Sequence, residues 1–428
     1  MKKNISFVSL GCAKNLVDSE VLIGGLKSEN YNLVNNISES DCVIINTCGF
    51  LDMAREESVD TILECVEFKK QGIVDKLIVM GCFSERYGDN LEKEIPEVDK
   101  FFGTSDHREI LSYLTGKEYK KDDPNYFRSL LTPKHYAYLK IAEGCDNVCS
   151  FCSIPMMRGL QKSSTLESLL IEGENLANRG VKELLVIAQD TTMYGSDLNP
   201  KSSLHELMDV LDKIDDIDWI RLHYAHPSHL TKEMIKRFGR LNKLIPYLDM
   251  PTQHGSDRML KSMKRGLKSD GIKSRIEALR KVNEDISLRT SVIVGFPNET
   301  DKEFESTIKL MKDLEFDYSF SFLYSPRPGT PASYIDDNIP NKIKQQRLEK
   351  LQSLNMLQGK AYTELMQGTN QRVLFDHFSK KNKNILLGKT DNNRIVETNA
   401  NSGLLNKFVN VKIAHANSKN LQIEPITS

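Results

Sequence analysis

Cysteine stops early in this chain. All eight cysteines lie within the first 152 residues and the remaining 276 residues hold none. No fourth cysteine therefore follows Cys152 to complete a ferredoxin-type ligand set. Uniform scatter rarely leaves two thirds of a chain empty, so the front third houses the thiolate chemistry. Long apolar runs are also missing. Nothing approaches the roughly 18 apolar residues of a membrane span, and the stretch behind Lys2 and Lys3 is too short and too interrupted for a signal peptide. Net charge is nearly absent: 58 Lys and Arg against 59 Asp and Glu leave −1, which gives no overall field toward a membrane or DNA. Tryptophan occurs once. P-loop, H-E-x-x-H and G-x-S-x-G elements are absent, which removes those routes to nucleotide, zinc-peptidase and serine-hydrolase chemistry. The expectation is a soluble cytoplasmic protein, whose thiols stay reduced rather than forming disulfides.

What is present starts with Cys145, Cys149 and Cys152, spaced C-x3-C-x2-C after a strand. Three thiolates at that spacing can hold three irons of a [4Fe-4S] cluster and leave the fourth open to a substrate or cofactor. A zinc reading stands beside it. Structural zinc needs four ligands, and His135, ten residues before Cys145, could complete a Cys3His set.

Three further cysteines follow apolar strands in the same way: Cys12 after Val8–Gly11, Cys48 after Ile44–Thr47, Cys82 after Ile78–Gly81. Ligands of open α/β sheets collect at the carboxyl ends of the strands, so these residues, 36 and 34 apart in sequence, are expected to meet in space as a second three-thiolate site. Cys42 and Cys65 fall within a strand and a helix body and are assigned to the core.

The fold class is α/β in three regions. Residues 1–118 alternate strand and helix as a parallel sheet does, with strands at Ile5–Leu10, Cys42–Asn46 and Lys76–Met80 and a helix at Leu16–Lys27 capped by Asn15. The aperiodic, Pro-containing stretch around 119–134 is a linker. Residues 135–362 repeat strand and helix six times, short of the eight that close a TIM barrel, which predicts an open partial (β/α)6 barrel with its function on the loops after the strands. Residues 363–428 hold five short strands, which fits a small OB-like barrel. Nine Lys and Arg against five Asp and Glu there lean toward an RNA or ribonucleoprotein partner.

These residues resemble a known family. Cys145–Cys152, with Phe151 before the last cysteine, resembles the radical S-adenosylmethionine (SAM) motif. The triad Cys12, Cys48 and Cys82 and a C-terminal region similar to a TRAM domain extend the resemblance over the whole chain, to the methylthiotransferases. His135–Lys140, Ile154–Gly159 and Pro251–Asp257 resemble the branch that modifies the twelfth small-subunit ribosomal protein. The tRNA-modifying branch shows Pro-Tyr-Thr-Arg-Gly and Gln-Ser where this chain has Pro155–Gly159 and Gln253-His254.

The resemblance implies two [4Fe-4S] clusters, one on each triad. It implies that SAM chelates the open iron at Cys145, Cys149 and Cys152, and that one electron yields a 5′-deoxyadenosyl radical. That radical would take a hydrogen from the β-carbon of an aspartate on the ribosomal protein. Sulfur carried on the Cys12, Cys48, Cys82 cluster, methylated by a second SAM, would complete a β-methylthio-aspartate. A flavodoxin or ferredoxin type reductant is implied as partner. Gln189, Asp190, Arg289 and Gly295 are the candidate SAM contacts. His223, His226 and His229 follow a strand, but Pro227 breaks the helix that would align them, so they are assigned to pocket lining rather than to a metal. Two other functions remain for the comparison: a tRNA adenosine methylthiotransferase, and a non-catalytic zinc-bound module that binds RNA or the ribosome.

Overall fold

The computed structural model describes residues 3–119, 128–417 and 420–424. Residues 120–127 of the expected linker lie outside the described residues. Two units are present. The first consists of Met1–Pro133, Ala142–Asp146 and Ser153–Lys162, the second of Lys134–Ile141, Asn147–Cys152 and Ser163–Ser428.

The first unit runs β1 (Asn4–Ser9), α1 (Ala13–Ser28), β2 (Asn32–Val34), β3 (Cys42–Thr47), α2 (Asp52–Lys70), β4 (Lys76–Gly81), α3 (Cys82–Glu94), β5 (Lys100–Phe101) and α4 (His107–Thr115). The strands form one parallel sheet in the order β2-β1-β3-β4-β5. A sheet covered on both faces needs strands apolar at every position. Val43–Ile45 and Leu77–Met80 meet that need and are fully buried. One face packs on Ile62, Cys65 and Val66 of α2, the other on Leu22 and Leu26 of α1. Cys42 and Cys65 lie in these two cores, where burial pushes their thiols up to about 12 and about 11. The expected cap is corrected: Cys12, not Asn15, is the N-cap of α1. Asn15 sits inside the first turn, where its amide donates to the Leu10 and Thr47 carbonyls at 3.0 Å each. It thereby ties the ends of β1 and β3 together.

The chain continues through β6 (Tyr136–Lys140), β7 (Ala142–Glu143), α5 (Ile154–Arg158), β8 (Lys162–Ser163), α6 (Leu166–Asn178), β9 (Glu183–Ile187), α7 (Leu204–Leu211), β10 (Trp219–Leu222), α8 (Lys232–Arg237), β11 (Leu244–Asp249), α9 (Asp257–Ser262), α10 (Ser269–Val282), β12 (Ser287–Val294), α11 (Asp301–Leu314) and β13 (Tyr318–Leu323). Six of these strands form a parallel sheet ordered β13-β12-β11-β10-β9-β6. Among the described residues β13 and β6 do not pair, so the barrel stays open. The long helix α12 (Asn341–Leu365) leads to β14 (Asn370–Phe378), β15 (Ile385–Thr390), β16 (Ile395–Asn399), β17 (Lys407–Ala416) and β18 (Leu421–Ile423), a closed barrel around Val373, Phe375, Leu386, Val396 and Ile413.

Within the second unit the closed barrel is clamped to the amino-terminal edge of the six-stranded sheet. Glu183, the first residue of β9, is fully buried and receives Arg221 Nε at 2.7 Å and Lys389 Nζ at 2.5 Å. Arg221 also donates to the Asp391 carbonyl. Arg394 pairs with Asp317 and Arg372 with Asp218. Trp219 meets the Phe408 ring edge-on at 4.6 Å. Two of the cations that suggested RNA contacts, Lys389 and Arg394, thus face carboxylates at the edge of the sheet, and Arg372 pairs with Asp218 at the exposed rim.

Burial alone would raise Glu183, but Arg221 and Lys389 outweigh it and hold the carboxyl at about 2. The folded value lies below the ordinary 4.5, so the unfolded chain takes the proton first. The stabilisation is complete above about pH 4.5 and is lost as pH falls toward 2. Glu183→Gln strands buried Arg221 and half-buried Lys389 and is expected to cost roughly 3–5 kcal/mol at pH 7. Urea unfolding of both chains should show that gap shrink between pH 5 and pH 3.

Candidate active site: two sets of three thiols

The first set stands at the carboxyl edge of the five-stranded sheet. Cys12 follows β1, Cys48 follows β3 and Cys82 opens α3 directly after β4, and these three strands are adjacent in the sheet. Cys12 Sγ and Cys82 Sγ both reach Asn15 Oδ1, at 3.9 and 3.7 Å. Two glycines make the approach possible. A Cβ on Gly11 (φ +90) would lie 2.8 Å from Cys48 Cβ, and one on Gly81 (φ +100) would lie 2.6 Å from the Thr47 carbonyl. Cys12 is exposed, Cys48 half-buried and Cys82 buried, so the set opens to solvent at one corner. Burial pushes the Cys82 thiol up to about 11 and raises Cys48 as well. A bound cationic metal core removes those protons.

One cation reaches this set. Arg158, on α5, is buried and donates from Nε to Cys82 Sγ at 3.3 Å. Its remaining nitrogens meet Glu143 at 2.8 Å, Asn15 at 2.5 Å and Asp18 at 3.0 Å. Burial opposes its charge, but Asp18 and Glu143 hold the guanidinium charged.

The second set is the C-x3-C-x2-C loop. Cys145 belongs to the first unit and donates its N–H to the Gly159 carbonyl at 3.1 Å, whereas Cys149 and Cys152 belong to the second. The covalent chain ties them together, with eight residues from first to last. In the second unit the loop is firmly held. Ser150 N donates to the Met263 carbonyl, Ala332 N to the Ser150 carbonyl, and Arg327 to the Phe151 carbonyl at 2.6 Å. Cys149 and Phe151 pack with Met259, Ile293, Phe296 and Tyr324. Buried Arg265 donates to Cys149 Sγ at 3.3 Å and to the Pro251 carbonyl at 2.7 Å.

Asp190 and Gln189 lie just past the end of β9. Asp190 is buried, and both its oxygens are engaged. Oδ1 accepts from Thr192 N, while Oδ2 accepts from Asn147 Nδ2 at 2.7 Å and meets His229 Nδ1 at 2.9 Å. Asn147 is part of the cysteine loop, so Asp190 braces that loop. His226 stacks on His229 at 4.7 Å. Burial and the neighbouring Arg265 charge lower His226 to about 3. Asp190, His226 and His229 offer ligand atoms within 4.8 Å of one another. With Asp190 engaged and Arg265 beside them, they form a polar brace rather than a cation site.

Gly295 (φ +71) follows β12 directly, and its N–H donates to Glu299 Oε2 at 2.7 Å. Buried His254 holds the same carboxylate through Oε1 at 2.8 Å, so the Gln253-His254 motif shapes this turn. Lys344 fills the space beside Gly295. Arg289 is not brought to these loops. It stands six residues earlier in β12, roughly 20 Å along the strand, and pairs with Asp249. There it lines a cavity of about 510 Å³ with Tyr318, Lys389 and Arg394. His135, the fourth ligand of the zinc reading, precedes β6 and points its Nε2 toward Asp376 of the closed barrel, at 3.6 Å. No described helix is long and apolar enough to cross a membrane.

Three family models match the chain: an uncharacterized protein family, UPF0004, over residues 4–103, the Radical SAM superfamily over 139–311, and the TRAM domain over 364–422. The ribosomal protein uS12 methylthiotransferase RimO of Christiangramia forsetii is 42% identical, over 100% of this chain and 95% of that protein. The chain belongs to the RimO methylthiotransferase family. RimO of Flavobacterium psychrophilum is 42% identical over 99% of both chains, and RimO of Aquifex aeolicus 44% over 88% and 85%. Membership makes the chain a radical SAM transferase, with [4Fe-4S] clusters and SAM as its cofactors. The fold agrees. The radical SAM methyltransferase TsrM of Kitasatospora setae, solved with cobalamin and a [4Fe-4S] cluster, superposes with a TM-score of 0.57 at 13% identity, over 78% of this chain and 77% of that one. The cobalamin-dependent radical enzyme OxsB gives 0.53 at 13% identity, over 82% and 56%.

Sequence reasoning missed the two guanidinium donors. Arg158 stood inside a motif used only to tell branches apart. Arg265 lies 116 residues from the cysteine it meets, with no local pattern around it.

Proposed function

We propose that this chain adds a methylthio group to the β-carbon of an aspartate in ribosomal protein uS12. The observation that carries the reading is the presence of two separate three-thiol sets, one past the carboxyl ends of β1, β3 and β4 and the other on the single loop after β6 and β7. Cys145, Cys149 and Cys152 would hold the cluster that supplies an electron to SAM, and Cys12, Cys48 and Cys82 would hold the cluster that carries sulfur. An unactivated C–H bond calls for the first chemistry, and insertion of sulfur for the second. Asp190, through Asn147, and Arg265, through Cys149, keep the radical loop in place. Gln189 and the turn at Gly295 flank the SAM position. A flavodoxin or ferredoxin type protein delivers the electron. The relatives' names support uS12 as substrate.

The test is intact-mass measurement of uS12 from cells with and without the gene. A methylthio increment that disappears on deletion is expected. An unchanged uS12, with loss of a methylthio-adenosine from tRNA instead, would refute the substrate. Metal analysis of the anaerobically purified chain should return about eight irons and eight sulfides, as two four-iron clusters require.

A further inference from the structure

The proposed chemistry explains six cysteines but leaves Arg158 without a task. A buried arginine is costly unless its charge and its N–H groups are met. Here every nitrogen is engaged: Nε on Cys82 Sγ, one terminal nitrogen on Glu143, the other on Asn15 and Asp18. The planar fork is therefore fixed in orientation, and a flexible ammonium could not reproduce it. Asn15 adds a second hold on the guanidinium, because its Oδ1 accepts from the Arg158 fork beside Cys82. Asp18 and Asn15 are both about 1% exposed, so the assembly is built into the interior rather than lying on the surface. It converges on one ligand sulfur.

We propose that Arg158 is a positioning residue for the cluster on Cys12, Cys48 and Cys82, holding the Cys82 sulfur and raising that cluster's reduction potential through the Nε–H···S hydrogen bond. A donor on a ligand sulfur withdraws electron density from the iron, and a nearby positive charge favours the more negative, reduced state. Both act in the same direction. Asp18 and Glu143 aim the guanidinium and temper its charge. This inference rests on the reading that the N-terminal triad carries a [4Fe-4S] cluster.

The experiment uses the full-length chain carrying C145A, C149A and C152A, so that only the N-terminal cluster reports. R158K keeps the charge and loses the fork. R158Q/D18N removes the cation together with the fully buried carboxylate it would orphan. Each is reconstituted, assayed for iron and sulfide, and titrated redox-potentiometrically with electron paramagnetic resonance detection. Circular dichroism of the metal-free chains records folding.

Retained cluster with a midpoint shifted downward is expected in both variants, because each loses the Nε–H···S hydrogen bond. Folded variants that no longer take up iron also support the assignment, because Cys82 has then lost its hold. Full iron with an unchanged midpoint overturns it, and so does unfolding of both metal-free variants, which would give Arg158 a role in the fold alone. A parent chain that binds no iron and sulfide at all would instead refute the cluster reading itself.

Discussion

Replacing Cys145, Cys149 and Cys152 together with alanine is expected to reduce SAM cleavage to background, with 5′-deoxyadenosine formation under a strong reductant as the measure. The reason lies in the ligand count. No cysteine follows Cys152, and His135 points its Nε2 toward Asp376, so nothing nearby substitutes for a lost thiolate. The loop is rigidly tethered through Ser150, Phe151 and Asn147, so the replacements should empty the site without unfolding the unit around it. About four irons should remain, held by the other triad. Cleavage that survives in the triple variant would remove this loop from the radical chemistry.

Replacing Cys12, Cys48 and Cys82 should give the opposite pattern. SAM cleavage persists, iron again falls to about four, and methylthiolated uS12 falls to zero. The two sets occupy different places in the chain: one terminates strands of the five-stranded sheet, the other follows β6. Separable losses are therefore the signature of divided labour. Product formed without the N-terminal triad would sink the assignment of sulfur to that cluster.

Much of this was legible before any coordinates. A parallel sheet buried on both faces demands short, largely apolar strands, and the apolar runs of β3, β4 and β9 announce them. A cysteine directly after such a strand must lie at the carboxyl edge, whatever the details of packing. That rule brought together Cys12, Cys48 and Cys82 despite their separation in sequence. What stayed hidden has physical causes as well. Strands β2 and β5, three and two residues long, are too short to show a period. The contacts of Arg158 to Cys82 and Arg265 to Cys149 span 76 and 116 residues, and nothing local marks them. Arg289 was named from the strand it occupies, but its height along that strand decides its neighbours. Charge counting could not show pairing either: Arg372, Lys389 and Arg394 meet Asp218, Glu183 and Asp317, residues far away in sequence.

The single tryptophan has an experimental consequence. Trp219 is 2% exposed and packs on Phe408 at the seam between the open sheet and the closed barrel. Its indole is the only one in the chain, so intrinsic fluorescence reads that seam without interference from elsewhere. A red shift in emission would report that the two halves of the second unit had parted, and titrating uS12 or a reductant against it would reveal whether either partner pries them open, with no label attached.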